Sequence, residues 1–461
     1  MQLPTFLTDL KRLAGSDQPL YLVGGAVRDH LLAIPCRDYD IVCSWNVHAT
    51  ARSFADQMHG AIYTLDGDRM TYRVLMGDAS GRSTVIDFAT MQGNSIEEDL
   101  SKRDFSINAM AVDLEEPGQI IDPFKGGRDL QERWLRPVSA KSFSADPLRV
   151  IRAIRYSVDL NLKLEAATSA LMRDAAPGLT KVSKERKRDE LFRILDGRNV
   201  HTAFSLLQHF HVFNFIPLIV KEEFPAALSE SRVLEELLGW VTGLKGLEKQ
   251  TAFHEVSLFV QLGRFKEKLQ AHYFTENTAG RTRKALLFLS TLVDTSQGHA
   301  CKVNCENLAL TIEEKNAIER YCLNRAQCEK LFESREKPMP AQLYDFYRAT
   351  GSTGIDLGLS CLAQYRTRPG VEFSGDEWLR RLNIAETLLE AWWEKPEIVH
   401  PDALLNGDEI MLLSGLAAGP VIGEILDTLI HLQIAGMVST KKQAKDWLTR
   451  WVLENHNPGI R

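Results

Sequence analysis

Hydrophobic and polar positions change period repeatedly over the first ~140 residues, with boundaries good to a few residues. Residues 19–23 form a short apolar run that stops at Gly24-Gly25, the pattern of a strand entering a turn. Residues 26–33 follow at helical spacing. Segments 39–43, 61–65, 72–76 and 84–89 are dominated by β-branched and aromatic residues and predict strands, whereas 49–58 and 96–113 predict helices. Strands and helices interleaved in this way imply an α+β head on a mixed sheet. Beyond about Asp146 the strand signals fade. Leu148, Ile151 and Ile154 recur at helical spacing, as do Leu191, Ile194 and Leu195, and the remainder reads as almost wholly helical. Gly and Pro punctuate it at 336–340, 367–370 and 400–407. The expected organisation is a head over 1–140, a helical neck over 141–200, a helical body over 201–345 and a helical tail over 346–461.

Composition narrows the class. At 461 residues, 44% hydrophobic and 25% charged, the chain is neither disordered nor collagen-like, and its length suggests several domains. No stretch approaches the roughly 20 apolar residues of a membrane span, and the N-terminus lacks the basic and apolar blocks of a signal peptide. Seven scattered cysteines, an odd number, fit a reducing cytoplasm better than a disulfide framework. The net charge of −6, from 55 Lys+Arg and 61 Asp+Glu, provides no global basic field. Any nucleic acid must therefore be met by local patches.

The chemistry begins at Gly24-Gly25-Ala26-Val27-Arg28-Asp29. A strand running into Gly-Gly and then a helix suits a phosphate, because glycine permits close approach and a helix start favours negative charge. Arg28, in the first turn, offers a clamp for a triphosphate oxygen. Taken alone the pattern is more often that of a tight turn. Arg37-Asp38-Tyr39-Asp40 changes the weighting: residues i and i+2 of a strand share a face, and two carboxylates there repel unless solvated or bridged by a cation. Mg²⁺ takes hard oxygen ligands and shares them with substrate phosphates, and a pair of such ions suits in-line nucleotidyl transfer. Asp87, a lone carboxylate in the apolar strand Val85-Ile86-Asp87-Phe88, is a candidate third ligand from a neighbouring strand.

In this order, these residues resemble the DNA polymerase β-like nucleotidyltransferase superfamily. More closely, they are similar to class II tRNA nucleotidyltransferases and the related bacterial poly(A) polymerases. The resemblance spans about the first 200 residues, and three further blocks carry it. Lys102-Arg103-Asp104-Phe105-Ser106-Ile107-Asn108-Ala109 is similar to the family's RRDFTINA-type segment. In it Arg103 offers a forked donor to phosphate, Asp104 an acceptor for a ribose 2′-OH, and Asn108 both a donor and an acceptor. Asp146-Pro147-Leu148-Arg149-Val150-Ile151-Arg152-Ala153-Ile154-Arg155 reads locally as an N-capping aspartate before a proline in the first helical turn. The resemblance implies more: Asp146 and Arg149 match the aspartate and arginine of the family's EDxxR motif, which pairs with the incoming base, and Arg152 and Arg155 belong to the same nucleotide-binding row. Ala145 stands where the motif has glutamate. Finally, residues 182–191 resemble the neck helix with its ER…EL pattern. From Lys181 to Arg198 seven basic residues face four acidic ones, a surplus suited equally to tRNA phosphate or to a solvated helix face.

The implied activity is template-independent, Mg²⁺-dependent nucleotidyl transfer to the 3′ end of tRNA. Only Met91-Gln92-Gly93-Asn94-Ser95 separates the strand ending near Thr90 from the next helix. Relatives that build the full CCA end usually carry a longer, charged, flexible loop here, and members restricted to CC are shortened. A lever that reshapes a base pocket needs length and mobility. The expectation is therefore addition of CC from CTP, with a separate A-adding enzyme acting next. The alternatives are a CCA-adding enzyme that also uses ATP, a poly(A) polymerase, whose frequent basic extension has no counterpart after Val452, and, from another class, a catalytically inactive RNA-binding protein. The chain has no His-Asp dipeptide for a phosphohydrolase, and residues 286–293 read as plain core. His299, Cys301 and Cys305 lack the pattern of a zinc site and read as ordinary residues. The segments around Leu404-Leu405-Asn406-Gly407-Asp408 and Gly419-Pro420 resemble the family's tail, a helical hairpin for tRNA docking, and Trp392, Trp393, Trp447 and Trp451 read as core.

Overall fold

The run before Gly24 forms β1 (Leu20–Val23), preceded by α1 (Thr5–Ala14) and followed by α2 (Gly25–Leu31). Then come β2 (Asp38–Cys43), α3 (Val47–Gln57), β3 (Ala61–Asp66), β4 (Thr71–Gly77) and β5 (Ser83–Thr90). This is a computed structural model, and it describes residues 3–15, 18–67, 70–77, 83–216, 224–245, 252–293, 307–368, 370 and 372–455. After β5 the chain continues through α4 (Ile96–Ser101), β6 (Ala111–Asp113), β7 (Ile120–Ile121) and α5 (Gly126–Glu132). Seven strands lie in the order β3-β4-β5-β2-β1-β6-β7. The β2–β5 pair is parallel and the other pairs are antiparallel, the mixed sheet the sequence implied. One apolar layer gathers Val23, Val42, Ile96, Leu100, Ala109 and Ala111. Phe54 of α3 meets Phe88 of β5 at 5.9 Å between ring centroids.

One expected helix, 96–113, is not continuous. It stops after Ser101, a 3₁₀ turn covers Ser106–Asn108, and Ala111–Asp113 pairs with β1 as a strand. The apolar residues from Ile107 to Val112 are buried. A short apolar run buried on every side has no polar face to reveal its period.

The chain then forms β8 (Trp134–Leu135), α6 (Ser142–Ala145), α7 (Arg149–Asp159), β9 (Lys163–Leu164), α8 (Ala166–Ala175), α9 (Lys184–Asp196) and α10 (Val200–His209). The β8–β9 ladder is a two-residue parallel pair whose second strand lies in the stretch read as almost wholly helical. Ser183 caps α9 by accepting from the Arg186 N–H at 3.4 Å.

The molecule divides into two compact units, Met1–Pro217 and Leu218–Arg461. Every described element of the second unit is helical. Its helix Thr353–Thr367 is buried along most of its length, and residues 286–293 are core throughout. The helices Gly407–Ser414, Pro420–Ile434 and Lys441–Asn455 enclose a separate small core around Ile410, Ile425 and Leu448. Trp447 and Trp451 pack at its edge half-buried, and Trp392 and Trp393 are also half-buried rather than fully enclosed. His299, Cys301 and Cys305 lie outside the described residues. Among the described residues no helix is long and apolar enough to cross a membrane.

Candidate active site

Strand register assembles the acidic edge. Val23 of β1 stands opposite Asp40 of β2, Asp40 beside Asp87 of β5, and Asp87 opposite Arg73 of β4. Asp38 is two residues before Asp40 and on the same face. Asp87 therefore does come from the neighbouring strand, but its two oxygens are taken by Arg73 at 2.8 and 2.7 Å. Burial pushes the Asp40 carboxyl up to about 6, with Asp38 and Asp87 adding to the rise and Arg103 opposing it. Burial, then Asp87, raises Asp38 as well. These causes mark a place where negative charge lacks compensation. Among the described residues no three His, Cys, Asp or Glu side chains form a complete metal cage. Two carboxylates with open sides nevertheless fit Mg²⁺, which keeps water and substrate phosphates as its other ligands.

Beside this edge the chain turns at Gly24, whose φ of +71° lies in the left-handed region. A Cβ there would come within 2.9 Å of Arg103 Nη1 and 3.3 Å of Asp40 Oδ2, so glycine is required for space as well. The first turn of α2 begins at Gly25 without a side-chain cap, and the Gly24 N–H donates to the Met110 carbonyl. Arg28 is held from two directions: Nη1 donates to Asn108 Oδ1 at 2.7 Å, and Nε donates to Asp29 at 2.8 Å. Arg103 donates to Asp99.

Opposite lies a fan of guanidiniums on α7. Arg152 donates twice to Asp104 Oδ2, at 2.9 and 2.6 Å, and once to Glu190 of α9 at 3.1 Å. Arg155 donates to the other Glu190 oxygen at 2.9 Å. The Tyr156 ring lies under Arg155, Arg152 and Arg28 at 4.3, 5.5 and 5.2 Å. Asp104 is buried, and its Oδ1 accepts from Asn108 and from the Phe105 N–H. Burial works to raise its pKa, but Arg152 and these hydrogen bonds overcome that and hold it low. In this arrangement Asp104 fixes Arg152. Asp146 accepts the Leu148 N–H at 3.2 Å, which caps the turn into α7, and pairs with Arg186 of α9 at 2.7 Å. Arg149 donates to the Ser142 hydroxyl and to the Lys102 carbonyl, each at 2.7 Å.

These groups surround one cavity of about 770 Å³. Of the residues singled out in the sequence, Gly24, Gly25, Arg28, Asp38, Asp40, Arg103, Asp104, Asn108, Asp146, Arg149, Arg152 and Arg155 all line it, and Asp87 does not. Sequence reading missed Tyr156 and the bracing role of Glu190, and it viewed Arg186 and Arg193 only as part of a basic helix. All four line the cavity.

A mixed sheet with paired strand carboxylates, a glycine turn and a guanidinium-rich cleft is the make-up of a nucleotidyl-transferring head. Residues 20–136 match the poly A polymerase head domain, and residues 161–222 match the probable RNA and SrmB-binding site of polymerase A. The CC-adding tRNA nucleotidyltransferase of Geobacter sulfurreducens is 30% identical over 458 residues, 99% of this chain and 97% of the relative. The A-adding tRNA nucleotidyltransferase of Deinococcus radiodurans is 30% identical over 449 residues, 94% of this chain and 95% of the relative. Among solved structures, an apo CCA-adding enzyme superposes with a TM-score of 0.67 at 22% identity, covering 99% of this chain and 94% of that one. The chain belongs to the tRNA nucleotidyltransferase family, the family of the CCA-adding enzymes.

Proposed function

We propose that this enzyme adds two C residues to the 3′ end of tRNA from CTP and stops at CC. One observation carries the choice of CC. The five-residue connection 91–95 is short and fastened: the Gln92 N–H donates to Asp99 at 2.9 Å, the Asn94 N–H donates to Glu98 at 2.8 Å, and Lys102 Nζ donates to the Gln92 carbonyl at 2.6 Å. Gly93, at φ +127°, leaves no room for a Cβ against Glu98. A segment fixed in this way does not move as a lever between a C-shaped and an A-shaped pocket.

Asp38 and Asp40 would hold Mg²⁺, which supplies charge neutralisation on the triphosphate and activation of the RNA 3′-hydroxyl. The remaining work falls to the chain's own groups. Gly24, Gly25, Arg28 and Arg103 grip the triphosphate, and Asn108 orients Arg28. Asp146 accepts from the cytosine amino group while Arg149 donates to the ring edge. Arg152 and Arg155, braced by Asp104 and Glu190, complete the wall. With the fork of Arg186 removed from Asp146 by the arriving base, one acceptor and one forked donor face the nucleotide.

The test is incubation of the purified protein with single NTPs and tRNA trimmed to its discriminator base or to CC, followed by product sizing. Two C residues from CTP, and no extension of tRNA-CC by ATP, are expected. Efficient addition of a single A to tRNA-CC overturns the reading.

A further inference from the structure

Asp99, on α4, joins the 91–95 connection to the cavity. It is 6% exposed. One carboxylate oxygen accepts the Gln92 N–H at 2.9 Å, and the other accepts from Arg103 Nε and Nη2 at 3.3 and 3.2 Å. A carboxylate withdrawn from water needs donors on both oxygens. Here one donor comes from the connection and the others from a cavity-lining arginine. Arg103 is thereby held along one edge of its fork. Its other terminus, Nη1, is the atom nearest the Gly24 turn, 2.9 Å from where a Cβ on that glycine would stand. The side chain that would meet a phosphate over the glycine turn thus has its direction set from behind.

We propose that Asp99 is a positioning residue for the incoming nucleotide: it clamps Arg103 edge-on so that the free edge of the guanidinium meets the triphosphate. The same carboxylate anchors the connection, so phosphate grip and connection are held by one group. This rests on the triphosphate role given to Arg103 above.

Asp99→Asn keeps size and one acceptor oxygen for Gln92 but turns an amide toward Arg103. On tRNA ending at the discriminator base, KM for CTP should rise about tenfold or more, the scale of one charge-assisted hydrogen bond, with kcat within about threefold and KM for tRNA unchanged. A merely structural role lowers the amount of folded enzyme, and so kcat, without moving KM. A double-mutant cycle sharpens the test: Arg103→Ala and the Asp99→Asn/Arg103→Ala pair should agree in KM within about a factor of two. Asp99→Ser, which takes the carboxylate away from Arg103, replaces Asp99→Asn in the cycle if the latter does not fold. An unchanged KM in the Asp99 variant, or effects that multiply in the pair, overturns the proposal. If Arg103→Ala leaves KM unchanged, the triphosphate role of Arg103 fails and the proposal with it. If Arg103→Ala raises KM while the Asp99 variant is silent, only the positioning role falls. Should the enzyme use ATP instead, the same cycle is run with ATP.

Discussion

At the scale of single residues, Asp146 shows how one carboxylate serves a helix and a substrate site. Its Oδ1 caps the turn before α7 through the Leu148 N–H, and its Oδ2 faces Arg186. Ala145, where the resemblance leads one to expect glutamate, is exposed at the end of α6, and Asp146 pairs with Arg186 of α9. The Arg186 side chain is 54% exposed, so the ion pair contributes at most about 1 kcal/mol. Asparagine retains an oxygen for the cap. Asp146→Asn should therefore cost less than about 1 kcal/mol in urea denaturation. If Asp146 reads the base, discrimination between CTP and UTP should fall about tenfold, the scale of a lost base-edge partner. Competitive incorporation measures that ratio, and an unchanged ratio removes Asp146 from base selection.

At the scale of elements, α7 and α9 are joined through charge as well as through packing. Glu190 takes Arg152, Arg155 and Arg193 at 3.1, 2.9 and 2.8 Å, with only 5% of its side chain exposed. Neutralising it takes this counter-ion from Arg155 and Arg193 and leaves Arg152 to Asp104. Glu190→Gln should cost roughly 3 kcal/mol of stability, the scale of breaking one side of a buried ion pair, and chemical denaturation of the full chain would show it. A loss below about 1 kcal/mol would mean that solvent already screens the cluster. The sequence carried a sign of this bracket. Lys187, Glu190, Leu191 and Ile194 recur at the spacing of one helix face, and all four are buried. A carboxylate on an apolar stripe needs cations from a facing element, but no single-chain pattern says which element faces it. The same limit explains the 96–113 segment, where a buried run could be helix or central strand until its partner β1 is known. By contrast, the glycine turn and the Asp38/Asp40 spacing were legible because each is a local pattern with its own chemical reason, whereas the Asp146–Arg149 pair rested on resemblance to the family's motif. Tyr156 was not legible, since its ring matters only through arginines gathered from α2 and α7.

At the scale of the whole molecule, a chain of net charge −6 meets an anionic substrate by gathering seven arginines, Arg28, Arg103, Arg149, Arg152, Arg155, Arg186 and Arg193, around one cavity. The carboxylates that hold such arginines also set the response to acid. Burial works to raise Asp104 and Glu190 in the first unit, but Arg152 with the Asn108 and Phe105 hydrogen bonds, and Arg155 with Arg152 and Arg193, together outweigh it, and both pKa values lie below their ordinary 3.8 and 4.5. In the second unit, Asp356 accepts from Arg283 at 2.6 Å and pairs with His272 at 3.0 Å, and Arg283 and His272 together hold it low against complete burial. A carboxyl whose folded value is depressed stabilises the fold fully above its unfolded value. That contribution is lost as pH falls through the depressed folded value. The urea midpoint of the full chain should thus be nearly level from pH 7 to about 5 as far as these groups decide it, then fall below about pH 4. Asp356→Asn supplies the control. It lacks the charge at every pH, so it should be less stable than the wild type at pH 7 by roughly 3 kcal/mol. The gap should narrow through pH 4 to 3, because the wild-type carboxyl is itself being neutralised. Parallel curves for the two proteins over that window would show that Asp356 stabilises the second unit by its shape and hydrogen bonds, and not by its charge.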